Sequence, residues 1–347
     1  MSQPTTVLVT GATGFIAQHI LDKLLTKKYK VIGTVRSDAK GDDLVKNFKG
    51  RYPEGELSFE IVKDIQTNDA FDDVLKKHPE IKYVLHTASP FSFGLNKPFE
   101  KAYLNPAVEG TLNILNAIKK YAPQVTNVVI TSSFAAIVQD AKDFKNTVHT
   151  NETWNPIKWE DVKTEEQAYV ASKKYAEQAA RKFYAENKPS YSLATVNPPF
   201  VLGPQTFDSA VTKKLNSSNE FLNIITHFPA SDEPQNQVPL LAVDVRDVAE
   251  FHILPLENKE LANERQFIAS SPFIAQRVLN ILNDDFSELE GLIAKGDYDS
   301  ASKLEEEYCP KYDISSTVKK AGGYKFITLE QSVDDVFKQY LSKYSFS

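Results

Sequence analysis

Val7-Leu8-Val9-Thr10-Gly11-Ala12-Thr13-Gly14-Phe15-Ile16-Ala17 is the stretch on which the fold turns. A short run of branched apolar residues enters a glycine-rich turn, and a helix follows whose apolar residues Ile16, Ile20 and Leu24 recur every fourth position. That recurrence is helical, and the run before the turn is a strand. Gly11 can take the backbone angles of a tight turn, and Gly14 lets the main chain approach a pyrophosphate. The small Ala17 lets helix and sheet pack closely. The free N–H groups and partial positive charge of the helix N-terminus then suit phosphate. The spacing predicts a dinucleotide-binding turn rather than a plain tight turn, with Gly11, Thr13, Gly14, Phe15 and Ile16 against the cofactor.

Outward from this turn the same alternation repeats. Apolar runs at Val31–Val35, Phe59–Val62, Tyr83–Leu85, Val128–Ile130 and Ser192–Val196 read as strands. Helical patterns cover 39–49, 69–77, 106–121 and 166–187. Near-continuous apolar strands alternating with amphipathic helices specify an α/β fold, a doubly wound parallel sheet with helices on both faces. After Asn197-Pro198-Pro199 the chain becomes loop-rich through 203–239, followed by a strand and helix at 240–257 and a strand near 265–269. The expected division is a dinucleotide-binding domain over 1–200, its sheet completed by 240–270, and a smaller substrate lobe over 201–347.

The end of the second strand selects the dinucleotide. An acid there accepts from a ribose 2′-hydroxyl, whereas an arginine accommodates a 2′-phosphate. The chain reads Val35-Arg36-Ser37-Asp38-Ala39-Lys40. Arg36 offers a planar charged fork and Lys40 a second cation, so NADP is expected rather than a solvated surface pair. Asp64 and Ile65 close the third strand, where a carboxylate can accept from the adenine amino group. Thr87, Ala88 and Ser89 close the fourth, where small residues let the backbone pass the cofactor.

Tyr169-Val-Ala-Ser-Lys173 places a phenol and an ammonium one helical turn apart on one face. A free tyrosine titrates near pH 10. A neighbouring ammonium, with the positive nicotinamide of an oxidised cofactor, is expected to lower that value. The phenol then donates a proton to a carbonyl oxygen as hydride reaches the carbon. Thr131-Ser132-Ser133 closes the fifth strand, where one hydroxyl can stabilise negative charge on the substrate oxygen.

Taken together, these motifs resemble the extended short-chain dehydrogenase/reductases over nearly the whole chain. The resemblance also takes in His86-Thr-Ala-Ser-Pro90, Asn105-Pro-Ala-Val-Glu-Gly-Thr-Leu-Asn113, Asn197-Pro-Pro-Phe-Val-Leu-Gly-Pro204 and Asp244-Val-Arg-Asp-Val-Ala249. Within that family the chain is similar to the dihydroflavonol-reductase-like branch. It is most similar to yeast NADPH-dependent aldehyde and ketone reductases of the methylglyoxal or isovaleraldehyde type, on Phe15-Ile-Ala-Gln-His-Ile20, Ile118-Lys-Lys-Tyr121, Trp154-Asn-Pro156 and Gly203-Pro-Gln205. The resemblance implies a Rossmann fold and a triad of Ser133, Tyr169 and Lys173, with Lys173 also holding the nicotinamide ribose. It further implies Pro198 to Val201 along the nicotinamide and Ser218 on the cofactor. The chain departs from the pattern at Phe134, where an aromatic with a hydroxyl is common, and at Pro199-Phe200, a variable pocket position.

Phe91, Phe93, Phe134 and Phe200 follow strand ends, where such sheets bind ligands, and with Ser133 are the candidate substrate-pocket residues. Asp244 and Asp247 read as a helix start rather than as an acid–base pair, and His86 as a satisfied core residue. The six histidines have no metal-ligand spacing, so no metal is expected. A net charge of −6 and a sequence pI near 5.7 argue against nucleic acid. One cysteine, Cys309, rules out an intrachain disulfide, and its surroundings suggest an inert thiol. No apolar run approaches the roughly 20 residues that span a bilayer. No secretory signal is evident, and the expected compartment is the cytosol.

The sequence therefore predicts an NADPH-dependent oxidoreductase of the carbonyl reductase kind, acting on CH–OH or carbonyl groups, with a small carbonyl substrate as its partner. By resemblance it works as a monomer or weak homodimer. Two rivals stand beside this. A nucleotide-sugar epimerase or dehydratase of the same family would use tightly held NAD, which Arg36 opposes. It would also call for more basic residues over 205–240, which carries only Lys213 and Lys214. An NADP-binding redox sensor would lack the Tyr–Lys pair.

Overall fold

The computed structural model describes residues 4–89, 94, 96–138, 146–216, 218–227 and 239–346. The chain opens with β1 (Thr6–Thr10), α1 (Phe15–Thr26), β2 (Lys30–Val35), α2 (Asp38–Arg51), β3 (Leu57–Ile61), α3 (Asp72–Lys77) and β4 (Ile81–His86). It continues through α4 (Asn105–Tyr121), β5 (Asn127–Thr131), α5 (Glu165–Asn187), β6 (Ser192–Asn197), β7 (Phe200–Leu202) and α6 (Glu220–Thr226). Then come β8 (Leu240–Asp244), α7 (Val245–Glu257), β9 (Arg265–Phe267), β10 (Ser271–Phe273), α8 (Ala275–Asp285), α9 (Tyr298–Tyr308), α10 (Ser315–Lys320) and α11 (Leu329–Leu341).

Seven strands form one sheet in the order β3-β2-β1-β4-β5-β6-β9. Every pairing in it is parallel. The strands are buried on both faces because helices cover both, which is why β1 reads as a continuous apolar run. One core cluster joins Val7, Val9, Ile20, Leu24 and Val31 to Val248 and Phe251 of α7. The other joins Leu8, Ile32 and Val84 to Ile114, Ile118 and Phe183. The strand order reverses between β1 and β4, so the crevice above their C-terminal ends is where such a sheet receives a ligand.

The helix expected from residue 69 begins at Asp72. Asp69 sits in the left-handed region at φ 62°, which a helix cannot include. Of the segment 240–270, only β9 adds to the large sheet. β8 instead pairs in parallel with β7 and antiparallel with β10, forming a second sheet of three strands. Leu202, Ala242 and Phe273 of that sheet share a core with α8 and α11. The chain after residue 200 thus serves both sheets.

Candidate active site

At the C-terminal end of β1, Gly11 takes φ +67°, and a Cβ there would lie 3.0 Å from the Ala88 backbone. The turn closes with Gly14 N–H donating to Gly11 O at 2.9 Å. Gly14 is the N-cap of α1 and offers no side-chain cap, and no acid occupies the first turn. The leading N–H groups of α1 therefore remain available to an anion. The end of β4 is tied to the same place. Thr87 Oγ1 donates to Thr10 O at 2.6 Å, and Ala88 N donates to Thr10 Oγ1 at 3.1 Å. His86 is buried beside them with its Nδ1 2.9 Å from Thr10 Oγ1, as expected of a satisfied core histidine, and burial pushes its pKa down to about 3.

Arg36 follows β2 directly and Lys40 lies in the first turns of α2, both exposed. Neither forms an ion pair with another described residue. Asp64 is exposed, its Oδ1 accepting from Gln66 N at 2.9 Å, while the Ile65 carbonyl accepts from Asn113 Nδ2 at 2.8 Å. A cleft of about 370 Å³ opens beside the turn, lined by Thr13, Phe15 and Gln18 on one side and Gln205, Lys214 and Asn216 on the other. Ser218, half-buried, lies just beyond that far wall along the chain.

Ser133, Tyr169 and Lys173 come together at the ends of β5 and α5. The Ser133 hydroxyl accepts from Ala135 N at 3.1 Å, which leaves its proton free to point at the phenol. It is hydrogen-bonded to Tyr169. Lys173 Nζ donates to Ser89 Oγ at 2.9 Å and stands 5.7 Å from the centroid of the Tyr169 ring. Burial lowers the ammonium to about 8. The phenol differs from expectation: its pKa is raised, because burial outweighs the bond from Ser133. The expected lowering depended partly on a positive nicotinamide ring, and Lys173 alone does not supply it.

The aromatic candidates separate. Phe134 is buried, its ring stacked on Phe267 at 5.0 Å and edge-on to His149 at 5.7 Å. Phe200 is half-buried with its edge on Phe221 at 5.1 Å. Pro198 is buried, its carbonyl accepting from Phe134 N at 2.8 Å, and Val201 is buried in the core next to the sheet. Phe91 and Phe93 lie outside the described residues. Asp244 caps α7 through Arg246 N at 2.8 Å, and Asp247 accepts from Tyr324 and the Ile327 backbone, so both acids serve structure. Cys309 is buried and its thiol pushed up to about 12, as befits an unreactive sulfur. Among the described residues no group of acids, histidines or cysteine is arranged to hold a metal, and no helix is long and apolar enough to cross a membrane.

Sequence reasoning missed the polar groups behind the serine. Ser132 Oγ donates to the buried Glu177 at 2.6 Å, and Asn197 Nδ2 donates to the same carboxylate at 2.7 Å. The only signal was the position of Glu177, four residues beyond Lys173 on the same helix face.

Residues 7–269 match the NAD dependent epimerase/dehydratase family. The NADPH-dependent methylglyoxal reductase GRE2 of Saccharomyces cerevisiae is 43% identical over 344 residues, which cover 96% of this chain and 98% of that protein. Gre2 from Candida albicans, solved in complex with NADPH, superposes with a TM-score of 0.91 at 43% identity, over 98% of this chain and 99% of that one. Yeast methylglyoxal/isovaleraldehyde reductase Gre2 complexed with NADPH gives 0.90 at 42% identity, over 97% and 98%. Sheet order, glycine turn and likeness along the whole length agree, and the chain belongs to the NAD-dependent epimerase/dehydratase family, the extended short-chain dehydrogenase/reductases.

Proposed function

We propose that this protein reduces small or apolar aldehydes and ketones to alcohols with NADPH, Tyr169 delivering the proton. The observation that carries the reading is the meeting of Ser133, Tyr169 and Lys173 beside the strand ends that form the dinucleotide crevice. The cradle fits the cofactor: the positive φ of Gly11 against Ala88, the uncapped start of α1, and two exposed cations after β2. Gly11, Thr13, Gly14, Phe15 and Ile16 would hold the pyrophosphate, and Arg36 and Lys40 the 2′-phosphate. Asp64 and Ile65 would meet the adenine, Thr87 to Ser89 the passing backbone, and Pro198, Val201 and Ser218 the nicotinamide half.

Bound NADPH supplies the hydride that reaches the carbonyl carbon. The Ser133 hydroxyl hydrogen-bonds the carbonyl oxygen and polarises it. The Tyr169 phenol, protonated at neutral pH as phenols are and disfavoured further from ionising by burial, gives its proton to that oxygen as charge builds there. Lys173, anchored by Ser89, stabilises the phenolate left behind and orients the ribose. The relatives named for methylglyoxal and isovaleraldehyde reduction support a small carbonyl as substrate. We place the protein in the cytosol as a monomer or weak homodimer. Its single cysteine, free and buried, supports a reducing compartment, and sedimentation would read the assembly.

The test is a panel of aldehydes and ketones with both nicotinamide cofactors. Wild type should consume NADPH. Tyr169→Phe should lose activity by about 10²-fold or more while retaining its affinity for NADPH. Wild-type turnover in that variant would remove Tyr169 as the proton donor. Binding of NADPH without turnover of any carbonyl would favour the sensor.

A further inference from the structure

Behind the triad lies a buried charge cluster that the proton and hydride steps do not use. The Glu177 side chain has no exposed surface, and it stands one turn beyond Lys173 on α5. Its Oε1 accepts from Arg265 Nε at 2.7 Å, Arg181 Nε at 3.2 Å and the Thr195 hydroxyl at 3.3 Å. Its Oε2 accepts from the Ser132 hydroxyl at 2.6 Å and Asn197 Nδ2 at 2.7 Å. Asn197 Nδ2 also reaches the Ser133 carbonyl at 3.2 Å. The carboxylate therefore grips the chain at the residue before Ser133 directly, and at Ser133 itself through Asn197.

Arg265, on edge strand β9 and only 6% exposed, extends the grip. Its Nη2 donates to Ala136 O at 3.1 Å, in the turn that follows Ser133. Its Nη1 donates to Asn151 O at 3.1 Å and also to Thr153 O, and its guanidinium lies 3.8 Å from the centroid of the Trp154 ring. Asn155 Nδ2 completes the clasp on Ala135 O at 2.7 Å and Val138 O at 2.8 Å. Burial opposes ionisation of both Glu177 and Arg265. For Glu177, Arg265, Arg181 and the Ser132 hydroxyl overcome it and hold the carboxyl below its usual range.

A buried ion pair is a poor stabiliser, because apolar residues of the same volume hold a fold as well or better. What a satisfied polar cluster does supply is fixed geometry. Here it joins the helix that carries Tyr169 and Lys173 to the strand end that carries Ser133. We propose that Glu177, backed by Arg265, is a positioning residue that sets the Ser133 hydroxyl against the Tyr169 phenol through Ser132 and Asn197. This rests on the reductase reading given above.

The full-length protein tests it, with NADPH and a carbonyl that wild type reduces. Ser132→Ala removes one link and leaves the ion pair intact. Its kcat should fall by roughly tenfold to a hundredfold, the scale of a small misplacement of reacting groups. KM and the Kd for NADPH should stay within about twofold, as for an interaction made only in the transition state. Ser132→Thr, which keeps the hydroxyl beside a small cavity lined by Ala88, Ala107 and Ala176, should restore kcat. Glu177→Gln should lower kcat in the same way and also lower the melting temperature. If both Ser132→Ala and Glu177→Gln keep wild-type kcat, whatever their melting temperatures, the cluster is structural only and the proposal falls. If Glu177→Gln does not fold, Ser132→Ala alone decides. Absence of any wild-type turnover would overturn the reductase reading instead, and this inference with it.

Discussion

Arg36 and Lys173 are the two side chains whose charge has the plainest consequence. Arg36 stands exposed at the end of β2, free to fork onto a phosphate. Arg36→Asp should weaken NADPH binding by at least about tenfold and improve NADH relative to it, since an acid accepts from a 2′-hydroxyl and repels a phosphate. Titration of both cofactors against the variant checks this, and an unchanged preference would move the phosphate site elsewhere. Lys173 titrates near 8 in the cofactor-free chain, because burial disfavours its ammonium. Its charge is present below that value and is lost as pH rises through it. A profile of kcat/KM for NADPH, which reports the enzyme before cofactor binds, should therefore decline through about pH 8. A profile flat across that region would release Lys173 from its role. The roles proposed for these residues were legible because Tyr-x-x-x-Lys and a basic residue after the second strand point to that chemistry by residue type and spacing. Glu177 and Arg265 were not, because a charged residue in sequence looks solvated until its partner, here 88 residues away, is seen beside it.

At the scale of the element, α5 carries two of the three members of the proposed triad, so its start matters. Thr164 caps it, with Oγ1 accepting from Gln167 N at 3.3 Å, and Gln167 Oε1 answers by accepting from Lys163 N at 2.9 Å. Thr164→Ala should cost about 1 kcal/mol of stability. Chemical denaturation would measure it, and an unchanged midpoint would show the cap to be idle. The helix itself was readable over 166–187 against an observed Glu165–Asn187, because its amphipathic period runs for six turns. β7 and β10 escaped notice for the opposite reason: three residues are too few to display a period of two. Phe134 was ambiguous, since a large aromatic after a strand end reads equally as pocket wall or as core, and the structure adds its stacking on Phe267.

Over the whole molecule, the C-terminal segment is laced back onto α7, whose Val248 and Phe251 share a core with the large sheet. Tyr324 and Phe326 pack on Phe251 of α7, and Asp247 accepts from the Tyr324 hydroxyl at 2.8 Å and the Ile327 N–H at 2.9 Å. Asp247→Ala would strand both half-buried donors, at no more than about 1–3 kcal/mol each, and should open the region around 324–327 to protease. Limited proteolysis at matched temperatures reads this, and wild-type resistance would contradict it. The parallel sheet was foreseen because apolar strands alternated with helices, and its completion from 240–270 with it, whereas the return of β9 rather than β8 to its edge follows from tertiary pairing alone. That return carries a consequence for synthesis on the ribosome. A nascent chain that has emerged only to residue 260 already holds six strands of the sheet, the glycine turn and the Tyr169–Lys173 pair. It lacks Arg265, the nearer of the two guanidinium groups on Glu177. On the positioning role proposed for Glu177 and Arg265, the alignment of Ser133 would arrive only with the last strand to be translated into the sheet, and a product truncated before it would keep the glycine turn without that alignment.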